Sequence, residues 1–314
     1  MFTIYKANTG CVNFPLLLCC MDPKLQSFLN YIEYEKRYSR NTLESYNNDL
    51  QQFQQFLKSY EKELVQTNHL DIRNWMVSMM EDKITPRSIN RKISTLQSFF
   101  KFLLRKGEIK KNPLAKVQTP KISKRLPVFV EQTGIEKLLT QIEFPEGYEG
   151  LRDKTIIELF YGTGMRRSEL MNLKESDFDS YNSQLKVLGK GNKERIIPIH
   201  NRLTTAIKSY IEEKKKAVPQ QEGNFLIVNE NGKRLNASFV YACVKKYLDA
   251  VTTVDKRSPH TLRHTFATHL MNNGADINAV KELLGHSSLA ATQVYTHNTI
   301  DKLKNIYKQA HPKA

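Results

Sequence analysis

The chain has 314 residues, with 48 Lys and Arg against 32 Asp and Glu, a formal net charge of +16 and 40 % hydrophobic residues. That length suits about two domains, and that apolar content is enough for real cores, which argues against an intrinsically disordered chain. The charge favours a polyanionic partner but does not by itself separate nucleic acid from an acidic membrane surface.

Residues 1–20 differ from the rest of the chain. Val12 to Cys20 is an apolar run broken by Asn13 and Pro15, far too short to span a bilayer. Only Lys6 precedes it and no small-residue cleavage site is evident, so it reads poorly as a signal peptide. Three of the four cysteines, Cys11, Cys19 and Cys20, lie here and the fourth is Cys243. That is no disulfide framework, and a reducing cytoplasm fits it best. Met21-Asp22-Pro23 reads as a fresh start, with Asp22 at the N-cap and Pro23 at the first helical position. Residues 1–20 are therefore expected to be a disordered extension or a misassigned start.

Residues 21–115 read as four amphipathic helices, a small bundle. Leu25, Phe28, Leu29 and Ile32 make the first apolar stripe; Leu43, Tyr46, Leu50, Phe53 and Leu57 make the second, after a cap at Ser39 or Asn41. A third helix covers roughly Asp71 to Met80. In the fourth, Ile89, Ile93, Leu96, Phe100 and Leu103 recur at helical spacing and Gly107 follows the end. Arg87, Arg91 and Lys92 cluster where this helix begins. Such a cluster is usually a solvated face, but it would also suit phosphate contact with the helix start in a DNA groove. Residues 116–127 (KVQTPKISKRLP) carry four basic residues, no acidic ones and two prolines, the composition of a linker.

From 128 to 298 the pattern is mixed. Helices are expected near Thr133–Gln141, Leu151–Tyr161 and Asn236–Val251. Between them, Gln184–Leu188 and Arg195–Ile199 flank Gly189-Lys190-Gly191-Asn192-Lys193 and read as a hairpin. It is no nucleotide-binding P-loop, since the GxxxxGK[ST] spacing is missing. Phe225–Val228 is expected to add an edge strand. Ser258 and Pro259 open a helix with Leu262, Phe266 and Leu270 as its buried stripe; His260 and Arg263 share a neighbouring stripe that need not be buried. Asn273-Gly274 ends it. A second helix starts at Asp276 with Ile277, Val280 and Leu284 inward, Gly285 stops it, and a third short helix carries Tyr295. His260 and His264 are four apart, but no Glu follows the first His and no Cys is near, so a metal site is not expected. The turn at Gly285 also has the look of a helix-turn-helix, which would need no catalytic groups. The tail, 299–314, repeats Ile300, Leu303 and Tyr307, a small apolar face with little local core left to bury it, and is expected to dock on a neighbouring subunit.

Several of these polar leftovers fall into one order. Gly162-Thr-Gly164-Met165-Arg166-Arg167-Ser168-Glu169-Leu170, Val187-Leu-Gly-Lys190, His260-Thr-Leu-Arg263-His264, Leu284-Gly285-His286 and then Tyr295 resemble the catalytic boxes of the tyrosine recombinases (phage integrases). The resemblance runs over nearly the whole chain from Met21 and is strongest to the bacterial Xer-type branch, down to the terminal His311-Pro312-Lys313-Ala314. Ala290 and Ala291 stand where hydroxyl residues are often found, a departure that removes no catalytic group. The resemblance implies a mainly α fold with a small antiparallel β-sheet. An N-terminal four-helix, SAM-like core-binding domain and a C-terminal mixed α/β catalytic domain would close round a duplex as a C-shaped clamp.

The chemistry implied is cutting and rejoining of DNA. Arg166 and Arg263 would present planar forks to the non-bridging oxygens of a phosphodiester and carry the extra transition-state charge. Glu169, three after Arg166, could steady its guanidinium. Tyr295 would attack phosphorus and stay joined to a DNA 3′-phosphate. A free phenol, with a pKa of about 10, needs help to ionise, and His260 is the candidate base. Lys190 is the candidate acid for the departing 5′-oxygen, and His286 would hydrogen-bond the phosphate. The covalent bond conserves the energy of the broken linkage, so no ATP is expected, and the two arginine forks stand in for a metal ion. Four protomers on two double-stranded sites, a Holliday junction, a second recombinase and a DNA translocase come with the resemblance, as does chromosome-dimer resolution; integration of a mobile element or DNA inversion stays open. A type IB topoisomerase and a non-catalytic helix-turn-helix regulator are the rival readings.

Overall fold

The computed structural model describes residues 22–122, 128–189, 192–285, 307 and 309–312; residues 1–20 of the expected extension, Lys190, His286, Tyr295, Ile300 and Leu303 lie outside them. The chain divides into two compact units, Met1–Arg125 and Leu126–Ala314.

The first unit is helical. Helix α1 (Pro23–Asn30) starts where Asp22 accepts the Lys24 amide, with Pro23 just inside, and runs into one π-type turn at Tyr31–Glu35. It is followed by α2 (Arg40–Lys58), α3 (His69–Glu81) and α4 (Pro86–Arg105). A reciprocal box fixes the start of α3: Asn68 takes the Asp71 amide while the Asp71 carboxylate takes the Asn68 amide. Helix α4 begins at Thr85, whose hydroxyl accepts the Ser88 amide, and ends where Gly107 takes the left-handed conformation, φ 75°. The apolar stripes meet in an aromatic core in which Phe53 lies 4.9 Å from Trp75 and Phe28 packs edge-on to Phe99 at 5.3 Å.

The second unit is built round α6 (Tyr148–Thr163), preceded by α5 (Gln132–Thr140). Helix α6 is buried over most of its surface, Arg152, Asp153 and Glu158 included, and several of its polar groups are paired inside. Tyr148 donates to the Val228 carbonyl at 2.8 Å, and Asp153 accepts from both Arg152 and Tyr247. After the short α7 (Arg167–Asn172) come three antiparallel strands in the order β1 (Phe178–Asp179), β2 (Gln184–Leu188) and β3 (Glu194–Pro198), with Leu185 opposite Ile197 and Val187 opposite Arg195. Helices α8 (Asn201–Ala217), α9 (Ala237–Asp249), α10 (Pro259–Asn272) and α11 (Ile277–Leu284) complete it.

Three expectations need correction. Phe225–Val228 forms no strand of its own, only isolated bridges from Phe225 to Lys174 and from Val228 to Arg234. Tyr210 and Lys214 of α8 hold that segment by side-chain hydrogen bonds to its amide and carbonyls. Ile277 is 52 % exposed, and α11 turns Ala279, Val280, Leu283 and Leu284 inward instead; residue 277 sits in the first turn, one step off the face that α10 and β3 cover. The third concerns the tail. Tyr307 and Ala310 are buried in their own unit, where the Tyr307 hydroxyl donates to the Gly162 carbonyl at 2.6 Å and its ring stacks on His311. Local core is therefore available to this part of the tail after all.

Candidate active site

Helix α6 ends at Gly164, left-handed at φ 59°. A Cβ there would lie 2.4 Å from the Phe266 ring, so the chain can turn here only as glycine. The turn delivers Arg166 to the N-cap of α7, where no ordinary capping side chain stands. Glu169 does the capping from within: its carboxylate accepts the Arg166 amide at 2.7 Å and the Arg166 Nη1 at 2.8 Å. The second nitrogen of the Arg166 fork, Nη2, donates to the Gly285 carbonyl at 3.0 Å. The side chain is 34 % exposed, so part of the fork faces solvent.

Arg263 projects from α10 and is only 5 % exposed, so the stripe that need not be buried is in fact buried at this position. One nitrogen donates to the Gly164 carbonyl, and Nη2 donates to the Leu284 carbonyl at 2.6 Å. Both acceptors are orphan carbonyls at helix ends, where partial negative charge suits a cation. Burial and the Arg166 charge press the Arg263 pKa down to about 9, which leaves it protonated at neutral pH. Arg166 and Arg263 thus grip consecutive carbonyls, those of residues 285 and 284, although their elements are far apart in the chain.

A third guanidinium completes the arrangement, and motif and spacing did not point to it. Arg195, on β3, makes a bidentate pair with Glu169 at 3.0 and 2.8 Å, and its Nε donates to the Leu283 carbonyl at 2.8 Å. Its signal in the sequence is slight: an Arg at a position of β3 that alternation assigns to the buried face, between Glu194 and Ile196. Glu169 therefore serves two arginines. Burial would raise its pKa, but the Arg195 hydrogen bonds and charge, with the Arg166 donors, outweigh burial and hold it at about 2.

His260 lies on the exposed side of the first turn of α10, its ring 4.4 Å from that of His264 in an edge-to-face pair. Lys190 falls between β2 and β3 in the chain; like His286 and Tyr295, it lies outside the described residues. Among the described residues, no group of three His, Cys, Asp or Glu side chains is placed to hold a metal ion, and no helix is long and apolar enough to cross a membrane.

In the first unit the expected basic cluster is divided. Arg87 is exposed and has no ion-pair partner among the described residues. Arg91 forks onto Asp49, which is itself buried, and also reaches Ser45 at 2.6 Å. Lys92 is buried, with its ammonium on Asp49 at 3.1 Å and on Gln52. It is not available to a phosphate in this arrangement, because leaving Asp49 would strip a buried carboxylate of its second cation.

Two family models match the chain: the phage integrase family over residues 129–302 and the phage integrase N-terminal SAM-like domain over residues 25–107. A tyrosine recombinase XerC from Oceanobacillus iheyensis is 38 % identical over 296 residues, covering 92 % of this chain and 96 % of that protein. A tyrosine recombinase XerD from Listeria monocytogenes is 36 % identical over 299 residues, covering 94 % of this chain and all of that protein. Among solved structures, a XerH site-specific recombinase bound to a palindromic difH substrate superposes with a TM-score of 0.67 over 92 % of each chain at 21 % identity, a likeness of fold. With two family models covering both units and relatives matched nearly end to end, the chain belongs to the phage integrase family and is a tyrosine recombinase of the Xer type.

Proposed function

We propose that this recombinase cuts and rejoins double-stranded DNA through a covalent 3′-phosphotyrosine intermediate on Tyr295. The observation that carries this reading is the convergence of Arg166 and Arg263 on the adjacent carbonyls of Gly285 and Leu284. Two permanent cations held next to each other, one of them partly open to solvent, make a site for the non-bridging oxygens of a phosphodiester. Because their hydrogen bonds to backbone carbonyls fix them beforehand, little reorganisation is needed when charge builds up on phosphorus.

In this reading Tyr295 attacks phosphorus while the bond to the 5′-oxygen breaks. His260 takes the phenolic proton, Lys190 supplies one to the leaving oxygen, and His286 hydrogen-bonds the phosphate. Rejoining reverses these roles with the 5′-hydroxyl of a second strand, so no external energy source enters. Arg87, exposed at the start of α4, and the partly exposed Arg91 are the proposed phosphate contacts of the first unit. The wider setting is proposed from the Xer relatives: four protomers on two sites, a Holliday junction and chromosome-dimer resolution, with a second recombinase and a translocase as partners.

The test is capture of covalent protein–DNA adducts from a library of duplexes nicked near the cleavage point, which also reveals the target sequence. The wild-type protein forms an adduct at one preferred sequence, and Tyr295→Phe forms none. An adduct formed by Tyr295→Phe overturns the assignment. Relaxation of a single plasmid with no recombinant product would favour the topoisomerase instead.

A further inference from the structure

We infer that Arg195 is a positioning residue of the active site, aligning Arg166 through the carboxylate they share and holding the helix end on which Arg166 and Arg263 both rest. The inference rests on the proposed role of the two arginines in binding the reacting phosphate.

The residues that close α11, 283 to 285, offer three carbonyls that no helical amide can reach. Each takes one guanidinium: Leu283 from Arg195, Leu284 from Arg263 and Gly285 from Arg166. Arg195 is joined to the other side of the site as well, since both its terminal nitrogens close on Glu169. Glu169 in turn holds Arg166 by backbone and side chain. Arg195 therefore fixes both the carboxylate behind Arg166 and the carbonyl row in front of it.

The surroundings are shaped to this side chain. A Cβ on Gly285 would lie 3.1 Å from both Cδ and Nη1 of Arg195, and one on Gly189 would lie 3.5 Å from Nη1 and 3.7 Å from the Glu169 carboxylate. At Gly285 the missing Cβ leaves room for the buried Arg195 side chain, whereas a Cβ on Gly189 would make only ordinary contact with the pair. The task needs a fork. A lysine in this place would keep the charge but could meet only one of the two carboxylate oxygens, and would lose the Nε donor to Leu283. Arg195 does not reach the reacting phosphate in this reading; its Nε and both terminal nitrogens are already taken by protein acceptors.

The experiment compares wild type and Arg195→Lys in single-turnover adduct formation on two nicked duplexes, one with an ordinary phosphodiester at the cleaved linkage and one with a neutral methylphosphonate. The methylphosphonate lacks one non-bridging charge and so depends less on an aligned arginine. DNA affinity and the melting temperature are measured alongside. The lysine variant is expected to bind DNA within about threefold of wild type and to form the phosphodiester adduct about 10²-fold more slowly, the scale of loss for a misplaced catalytic group. The preference for phosphodiester over methylphosphonate should narrow by about tenfold or more, because alignment of the charge-bearing fork is what has been lost. Equal losses on the two substrates would mean a structural role only, and wild-type rates on both would mean none; either result overturns the inference. If Arg195→Lys melts below the assay temperature, the pair Arg195→Met with Glu169→Gln removes both buried charges together and is read by the same ratio. Failure of the underlying reading shows elsewhere, as an adduct formed by Tyr295→Phe.

Discussion

Glu169→Gln is the substitution with the sharpest consequence for stability. The change is nearly isosteric but removes the negative charge that Arg166 and Arg195 share. Arg195 is almost fully buried and, among the described residues, pairs with no other carboxylate, so it is left as an uncompensated interior cation. Breaking a buried pair from one side costs about 3–5 kcal/mol. The wild-type pH dependence gives an independent measure. Glu169 is held at about 2 in the folded protein against an ordinary 4.5. A depressed carboxyl pKa adds stability above the unfolded value, and that stability is lost as pH falls through 4.5 towards 2. The difference converts to about 3 kcal/mol at 1.36 kcal/mol per unit. The two figures agree in scale.

The assay can separate the units. Trp75 is the only tryptophan and sits in the core of the first unit, so its fluorescence follows that unit alone, while far-UV circular dichroism follows both. Urea unfolding at pH 7 should show the second-unit transition moved to lower urea by Glu169→Gln and the Trp75 transition unmoved. Lowering the pH from about 5 to about 2 should shrink the difference between variant and wild type, because the wild-type carboxylate is then being protonated. A loss under about 1 kcal/mol, or a difference that does not shrink in acid, would refute the reasoning, since either means Arg195 does not depend on this charge.

Arg263→Lys should keep the fold's positive charge but lose one of its two carbonyl anchors, and adduct formation on a nicked duplex should slow by about 10²–10³-fold. Asp49→Ala leaves Lys92 buried without its carboxylate and should lower the Trp75 urea transition by about 3–5 kcal/mol, with the circular dichroism change confined to the same urea range. Tyr307→Phe strands the buried Gly162 carbonyl and should cost about 1–3 kcal/mol in the second unit; an unchanged thermal melt would show that the tail's hydroxyl bond contributes nothing there.

Much of the local structure is legible because it depends on neighbours in the chain. The stripes of α2 and α4, the Ser258-Pro259 start of α10, and the Gly107, Gly274 and Gly285 stops follow from helical period and from the few residues that tolerate a cap or a positive φ. Helix α8 has the same kind of signal, with Leu203, Ile207 and Tyr210 at helical spacing and His200 accepting the Leu203 amide at 3.1 Å, although no helix was expected there. The short β1 and the bridges at Phe225 carry no such signal, since their pairing depends on a partner elsewhere in the fold. At the site, motif and spacing single out Arg166, Glu169, His260 and Arg263, whereas a lone arginine in a strand, as Arg195 is, has no periodic signal to find it by.

The sequence alone decided where most helices begin and end, though not α8, which of their faces are mostly apolar, and which polar residues were left over in a recognisable order. What it could not decide is which of those charges are spent inside the protein. Arg195 meets Glu169 across 26 residues, Lys92 meets Asp49 across 43, and Tyr307 meets Gly162 across 145. A charged or hydroxylic side chain reads the same in sequence whether water or a buried partner satisfies it. Only packing brings the partner within hydrogen-bond reach and excludes the water, and that turns one arginine into an anchor and leaves its neighbour partly open.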